Sequence, residues 1–254
     1  MVEILGDIKK CIYCGSEKSL SDEHPLPFSL HGKWLLKNAS CIECSKITSK
    51  FERDVSQNLF GSIRSYLNFP TYHPKNRRKF FLVEVEKNDG SILPIKTPIT
   101  EYGGIIGLPI FQYPAYKNNT SYIQGINLIG IQPYRIGGFD IKSMAKKHSG
   151  QAINLSIKYN PTNFARMLAK ASYGFAVAKY GMNKFDAFVL PAILGKKDDI
   201  GMWVGTDTDE NALFSSEELI IELYIKKKLI FSRVKLFGNL EQSPCYLIVV
   251  GKLK

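Results

Sequence analysis

From residue 47 to residue 67 an apolar side chain returns every fourth position. Ile47, Phe51, Val55, Leu59, Ile63 and Leu67 form one stripe of an amphipathic helix, which Gly61 breaks or kinks and which Ser45 is placed to N-cap. The clearest helix signal is NPTNFARMLAKASYGFAVAKYG, residues 160–181. Asn160 is its cap, Pro161 fits the first turn, Gly181 ends it, and its alanine-rich apolar face suits burial against a sheet. Elsewhere the period is two. FFLVEVE (80–86) alternates as a strand, and NDG followed by SILPIK reads as its hairpin return. RVKLFGN and PCYLIVVG predict a closing hairpin, with Cys245 as a buried strand thiol. Residues 98–140, rich in Gly, Tyr and Pro, suit short strands and long loops. Ser215 with Glu218 makes a capping box for a second helix, and Lys226, Lys227 and Lys228 read as a helix face or end. Near the N-terminus the runs IYC and KWLL predict a small hairpin, and FPTYHPKNRRK (69–79) reads as a linker. The expected fold class is α+β. A small N-terminal domain (1–68) and a basic linker (69–79) precede a larger α+β domain with a mostly antiparallel sheet (80–254).

Composition narrows the class. The chain has 254 residues, 44% hydrophobic and 22% charged, as in an ordinary globular protein, with no apolar run of membrane-spanning length and no signal-peptide core. A cytoplasmic location without membrane contact is the expectation. The net charge of +11 is uneven. Residues 1–80 hold 13 Lys+Arg against 8 Asp+Glu and residues 81–195 hold 12 against 6, whereas residues 196–254 hold 9 against 9. A basic excess confined to the first three quarters points to a polyanionic partner.

Four of the five cysteines occur as two knuckles, Cys11-Ile-Tyr-Cys14 and Cys41-Ile-Glu-Cys44. In a reducing compartment this pattern reads as a tetrahedral structural zinc site, because thiolates are soft ligands and zinc takes four. The 26 residues between the knuckles exceed the usual ribbon spacing, so the insert carries something else. It contains DEHPLP and, before the second knuckle, NAS.

In this order (CIYCG, DEHPLP, NASCIECS, then a helix) residues 8–60 resemble the HNH endonucleases, in the four-cysteine, zinc-stabilised branch of the ββα-metal group. The resemblance implies a small zinc-stapled ββα-metal finger and hydrolysis of phosphodiester bonds in DNA. By the same resemblance His24 is the general base, Glu23 (or Asp22) the carboxylate ligand of a catalytic Mg²⁺ or Mn²⁺, and Asn38 the residue that orients the base. The branch often carries Asn or His after the last knuckle cysteine as a second metal ligand; this chain carries Ser45. Three arrangements stay open: Ser45 ligates directly or through water; Thr48, Glu52 or His31 fills the gap; or the finger is degenerate and binds nucleic acid without cutting it. Arg64, Lys75, Arg77, Arg78 and Lys79, interleaved with Tyr66 and Tyr72, are candidates for phosphate contacts. DNA is the expected substrate rather than RNA, and defence against foreign DNA the expected setting. Residues 80–254 are the candidate surface for a protein partner or a second copy.

Overall fold

The computed structural model describes residues 2–118, 122–208, 219–240 and 242–254. The chain opens with β1 (Glu3–Asp7), β2 (Leu20–Glu23) and β3 (Trp34–Cys41), followed by helix α1 (Ile42–Asp54). A π-helical turn over Val55–Leu59 separates it from α2 (Gly61–Tyr66). The expected apolar stripe is buried from Phe51 to Ile63 but ends in an exposed Leu67; the helix breaks just before Gly61, as expected, and starts earlier than expected. Cys41, with extended backbone, is its N-cap, so Ser45 lies inside the first turns instead of capping them. The second knuckle is itself the first helical turn, which brings the thiols of Cys41 and Cys44 to one side.

Strand β4 (Phe80–Lys87) returns as β5 (Ile92–Pro98), as its alternation predicts. Then come α3 (Ile99–Tyr102), β6 (Gly104–Phe111), β7 (Leu128–Ile136), α4 (Ile141–Lys147) and β8 (Gly150–Asn154). Helix α5 (Pro161–Tyr180) matches its sequence signals. The Asn160 side chain accepts from the Asn163 N–H, and Gly181 ends the helix at a φ of 88°. The chain finishes with β9 (Phe185–Ala187), α6 (Leu190–Ile193), α7 (Ile200–Trp203), β10 (Val204–Thr206), β11 (Leu219–Lys226), β12 (Leu229–Leu236) and β13 (Cys245–Leu253). Ser215 and Glu218 lie outside the described residues; the segment after them is strand β11, because LIIELYIK is β-branched and aromatic. The three lysines are not a helix end. Lys227 and Lys228 have φ values of 51° and 63°, the two left-handed residues of a tight hairpin turn between β11 and β12.

Two compact units result, and they do not follow the cuts expected at 68 and 80. One holds Met1–Val55, Leu108–Gln132 and Asn160–Lys254; the other holds Ser56–Gly107 and Pro133–Tyr159. In the first, β3 is central to a three-stranded sheet, parallel to β1 and antiparallel to β2. The expected IYC–KWLL hairpin does not form. Residues 12–14 are a turn that rests on β3 through the Ile12 N–H to Ala39 O bond, and the N-terminal strand takes the pairing edge instead. A second sheet in the same unit runs β10–β13–β12–β11 with β9 also on β13, all antiparallel. Helix α5 packs against both β13 and α1. Its small residues Ala165, Ala169, Ala171 and Ala176 are fully buried, which permits that close approach. Cys245 is buried in β13, and burial pushes its thiol up to about 12.

The other unit is built on the sheet β5–β4–β8, with a core of Val83, Val85, Tyr102 and Ile105 beneath Phe81, Ile95 and Phe139. Residues 69–79 belong to this unit and include a 3-10 turn at Pro74–Asn76, so they are a folded part of it. Among the described residues no helix is long and apolar enough to cross a membrane.

Candidate functional site

The knuckle CIYCG turns tightly: Cys11 N–H donates to Ser16 O and Gly15 N–H to Cys11 O, with Gly15 at a φ of 77°. The second pair sits where β3 passes into α1. Together they gather the sulfurs of Cys11, Cys14, Cys41 and Cys44 within 4.8 Å of one another. The Cys14–Cys41 sulfur separation is 3.6 Å. A regular tetrahedron with Zn–S bonds of about 2.3 Å has edges of about 3.8 Å, so the donor set fits a structural zinc ion in size and in chemistry. Burial pushes the Cys41 thiol up, but the Cys44 backbone and the neighbouring thiols outweigh it and bring it down to about 7. Three of the four cysteines are buried and Cys14 is exposed. The quartet can therefore staple β3, α1 and the first knuckle together.

Strand β2 starts opposite Cys41 at Leu20 and ends at Glu23, and the chain then turns through His24 and Pro25. His24 Nδ1 lies 3.0 Å from the carbonyl oxygen of Trp34. A carbonyl only accepts, so Nδ1 carries the hydrogen and the neutral ring keeps its lone pair on Nε2. Burial lowers the His24 pKa below its ordinary value; the Trp34 carbonyl works against this and the Lys170 charge adds to it. At neutral pH the ring is thus uncharged, with a basic nitrogen on a half-exposed side chain.

The other half of the site comes from α5. The Lys170 ammonium, only 1% exposed, lies 2.5 Å from Glu23 Oε1 and 2.6 Å from Glu52 Oε1. It also donates to the backbone carbonyls of His24 (2.5 Å) and Pro25 (3.4 Å). One cation thus holds the turn that carries His24. Burial opposes its charge, but the two glutamates outweigh this and raise the Lys170 pKa. With two carboxylates sharing one ammonium, burial pushes Glu52 up to about 7 despite the pull of Lys170. Tyr173, one turn further along α5, donates to Ile12 O in the first knuckle. Gly174 sits where an added Cβ would come within 2.9 Å of Pro25 Cβ. Phe175 meets Trp34 edge-on at 5.0 Å.

The expected site residues divide accordingly. His24 is oriented by Trp34, and Asn38 does not orient it. Asn38 takes a φ of 50°, gives its side-chain amide to Asp7 and its backbone N–H to Asp22, and so locks β3 to β1 and to the end of β2. Glu23 is buried with Lys170. Ser45 is half-buried, and its carbonyl accepts from Thr48. His31 is the left-handed residue that ends a 3-10 turn. Among the described residues the four cysteines are the group of three or more His, Cys, Asp or Glu side chains with the closeness a metal needs, and Glu23 and His24 form no such group. Arg64, Arg77 and Arg78 share a concavity in the other unit, while Lys75 and Lys79 are exposed outside its lining. The residue that sequence reasoning missed is Lys170, and its signal was present: a lone lysine among the apolar positions of FARMLAKASYGFAVA. A charge on a buried helix face needs a partner, and acids far along the chain are where to seek it. No protein-family model, curated protein or solved structure matches this chain.

Proposed function

We propose that the His24 turn is the catalytic element of an HNH-type endonuclease that hydrolyses phosphodiester bonds in DNA. The observation that carries this reading is the state of His24: Nδ1–H is held by the Trp34 carbonyl, which leaves the lone pair of the neutral ring on Nε2, in a chain that also carries a zinc-fitting cysteine quartet. In this role Nε2 takes a proton from water, the hydroxide attacks phosphorus, and the 3′ oxygen leaves and is protonated. The products are a 5′ phosphate and a 3′ hydroxyl. The zinc is structural, since all four of its positions are filled by cysteine. Nucleic acid as partner is supported by the net charge of +11.

A requirement for Mg²⁺ or Mn²⁺ belongs to the proposal, but Glu23 does not fit as its ligand while paired with Lys170. The same ion pair favours a second reading, a finger that docks on nucleic acid without cutting. Incubating the zinc-loaded chain with supercoiled plasmid and a panel of divalent metals separates the two. Nicking or linearisation that depends on added Mg²⁺ or Mn²⁺ supports the enzyme; intact plasmid with retarded mobility supports the docking module. For the enzyme, the acid limb of the pH–rate profile should have its midpoint below 6.5, the ordinary histidine value, because burial lowers the pKa of His24. A midpoint above 6.5 would remove His24 as the base.

A further inference from the structure

The stretch from Ser56 to Arg78 encloses a concavity of about 270 Å³ whose lining includes Arg64, Ser65, Thr71, His73, Arg77 and Arg78. The other lining residues are polar or glycine, and none is Asp or Glu. Two of the three guanidinium groups are pre-positioned. Arg77 donates through Nη1 to Arg64 O (2.7 Å) and through Nη2 to Phe69 O (2.5 Å), and Arg64 donates through Nη1 to Ser56 O (2.8 Å). Carbonyl acceptors fix the orientation of a guanidinium but do not neutralise it. Arg77 has five N–H groups, so donors remain for a ligand after these two carbonyls. Burial, and then the charge of Arg77, bring the Arg64 pKa down to about 10, as expected when like charges are held together out of water.

We propose that this concavity binds a phosphomonoester, either of a free nucleotide or of the 5′ end of a nucleic-acid strand. Three guanidinium groups suit the dianion of a monoester better than the single charge of a chain-internal diester, and planar N–H forks match phosphate oxygens. Thr71 and the ring N–H of His73 supply neutral donors, and the space exceeds what a bare phosphate fills. All lining residues lie within residues 56–78, so the inference does not rest on the reading of His24.

Isothermal titration calorimetry on the full chain tests this with AMP, inorganic phosphate, adenosine, and one oligonucleotide carrying either a 5′ phosphate or a 5′ hydroxyl. AMP and phosphate bind, adenosine does not, and Arg78→Glu weakens binding by about tenfold or more, the scale of a lost charge-assisted contact. Arg78 is exposed, so that variant is expected to melt like the parent. A 5′-phosphorylated strand that binds more tightly than AMP identifies a strand end as the ligand, and one that binds no better identifies a nucleotide. Failure of AMP and phosphate to bind at millimolar concentration, equal binding of adenosine, or indifference to Arg78→Glu overturns the proposal.

Discussion

Replacing Lys170 by methionine costs about 3–5 kcal/mol, the usual loss when one partner of a buried ion pair is removed. Glu23 and Glu52 are then left facing each other without a cation, and the carbonyls of His24 and Pro25 lose their donor. Against a typical total of about 5–15 kcal/mol, this is enough to bring the unit near unfolding. Denaturant melts of the variant measure the loss. A triple variant, Lys170→Met with Glu23→Gln and Glu52→Leu, recovers much of it, because the stranded charges are gone. A loss under about 1 kcal/mol for Lys170→Met would show that the pairing is not the support described. The same cluster has a pH signature. Glu52 titrates near 7 in the folded chain against an ordinary 4.5, so the folded state binds more protons in that interval. Its contribution is fully present below about 4.5 and is lost as pH rises through about 7, and Glu52→Gln removes that slope.

Loss of the zinc is the other large effect. Binding free energies of structural zinc sites are of the order of 10–16 kcal/mol near neutral pH, and for a small stapled element that energy is folding energy. Cys41→Ala removes a ligand at the junction of β3 and α1, where the staple joins strand to helix. The expected results are about one zinc per chain in the parent, none in the variant, and loss of protection for the amides of β2 and β3 in hydrogen exchange. Chelation of the parent reproduces this. Because Tyr173 and Phe175 hold the knuckle and β3 from α5, the damage spreads to α5 instead of stopping at residue 60. A parent free of zinc, or a variant with unchanged exchange, would contradict the assignment of the quartet.

Local signals in the chain were readable and long-range ones were not. The caps of α5, the alternation of β4, the NDG turn before β5 and the apolar run of β13 state their structure within a dozen residues, and the two knuckles state a metal-binding pattern by spacing alone. The place of β1 could not be read that way, because its partner β3 begins more than 25 residues later and nothing in EILGD names a parallel edge. The lysine run at residue 226 misled for the opposite reason: lysine favours helix ends, yet two left-handed residues were needed to close a hairpin. The larger miss concerns organisation. A cut near residue 68 separates Glu23 and His24 from Lys170, whereas the fold puts all three in one unit. The histidine turn itself was visible in DEHPLP; what holds it was visible only as an isolated charge in an apolar helix 146 residues away.

One plasmid assay decides whether His24 is a base acting on phosphodiester bonds. The parent and the His24→Ala variant, matched for zinc content and thermal melt, are incubated with supercoiled plasmid and Mg²⁺ or Mn²⁺. The parent is expected to give nicked or linear product, and the variant to cut more slowly by about a hundredfold or more, the usual share of a general base. Equal cleavage by both, or none by the parent with any divalent ion, would contradict that role.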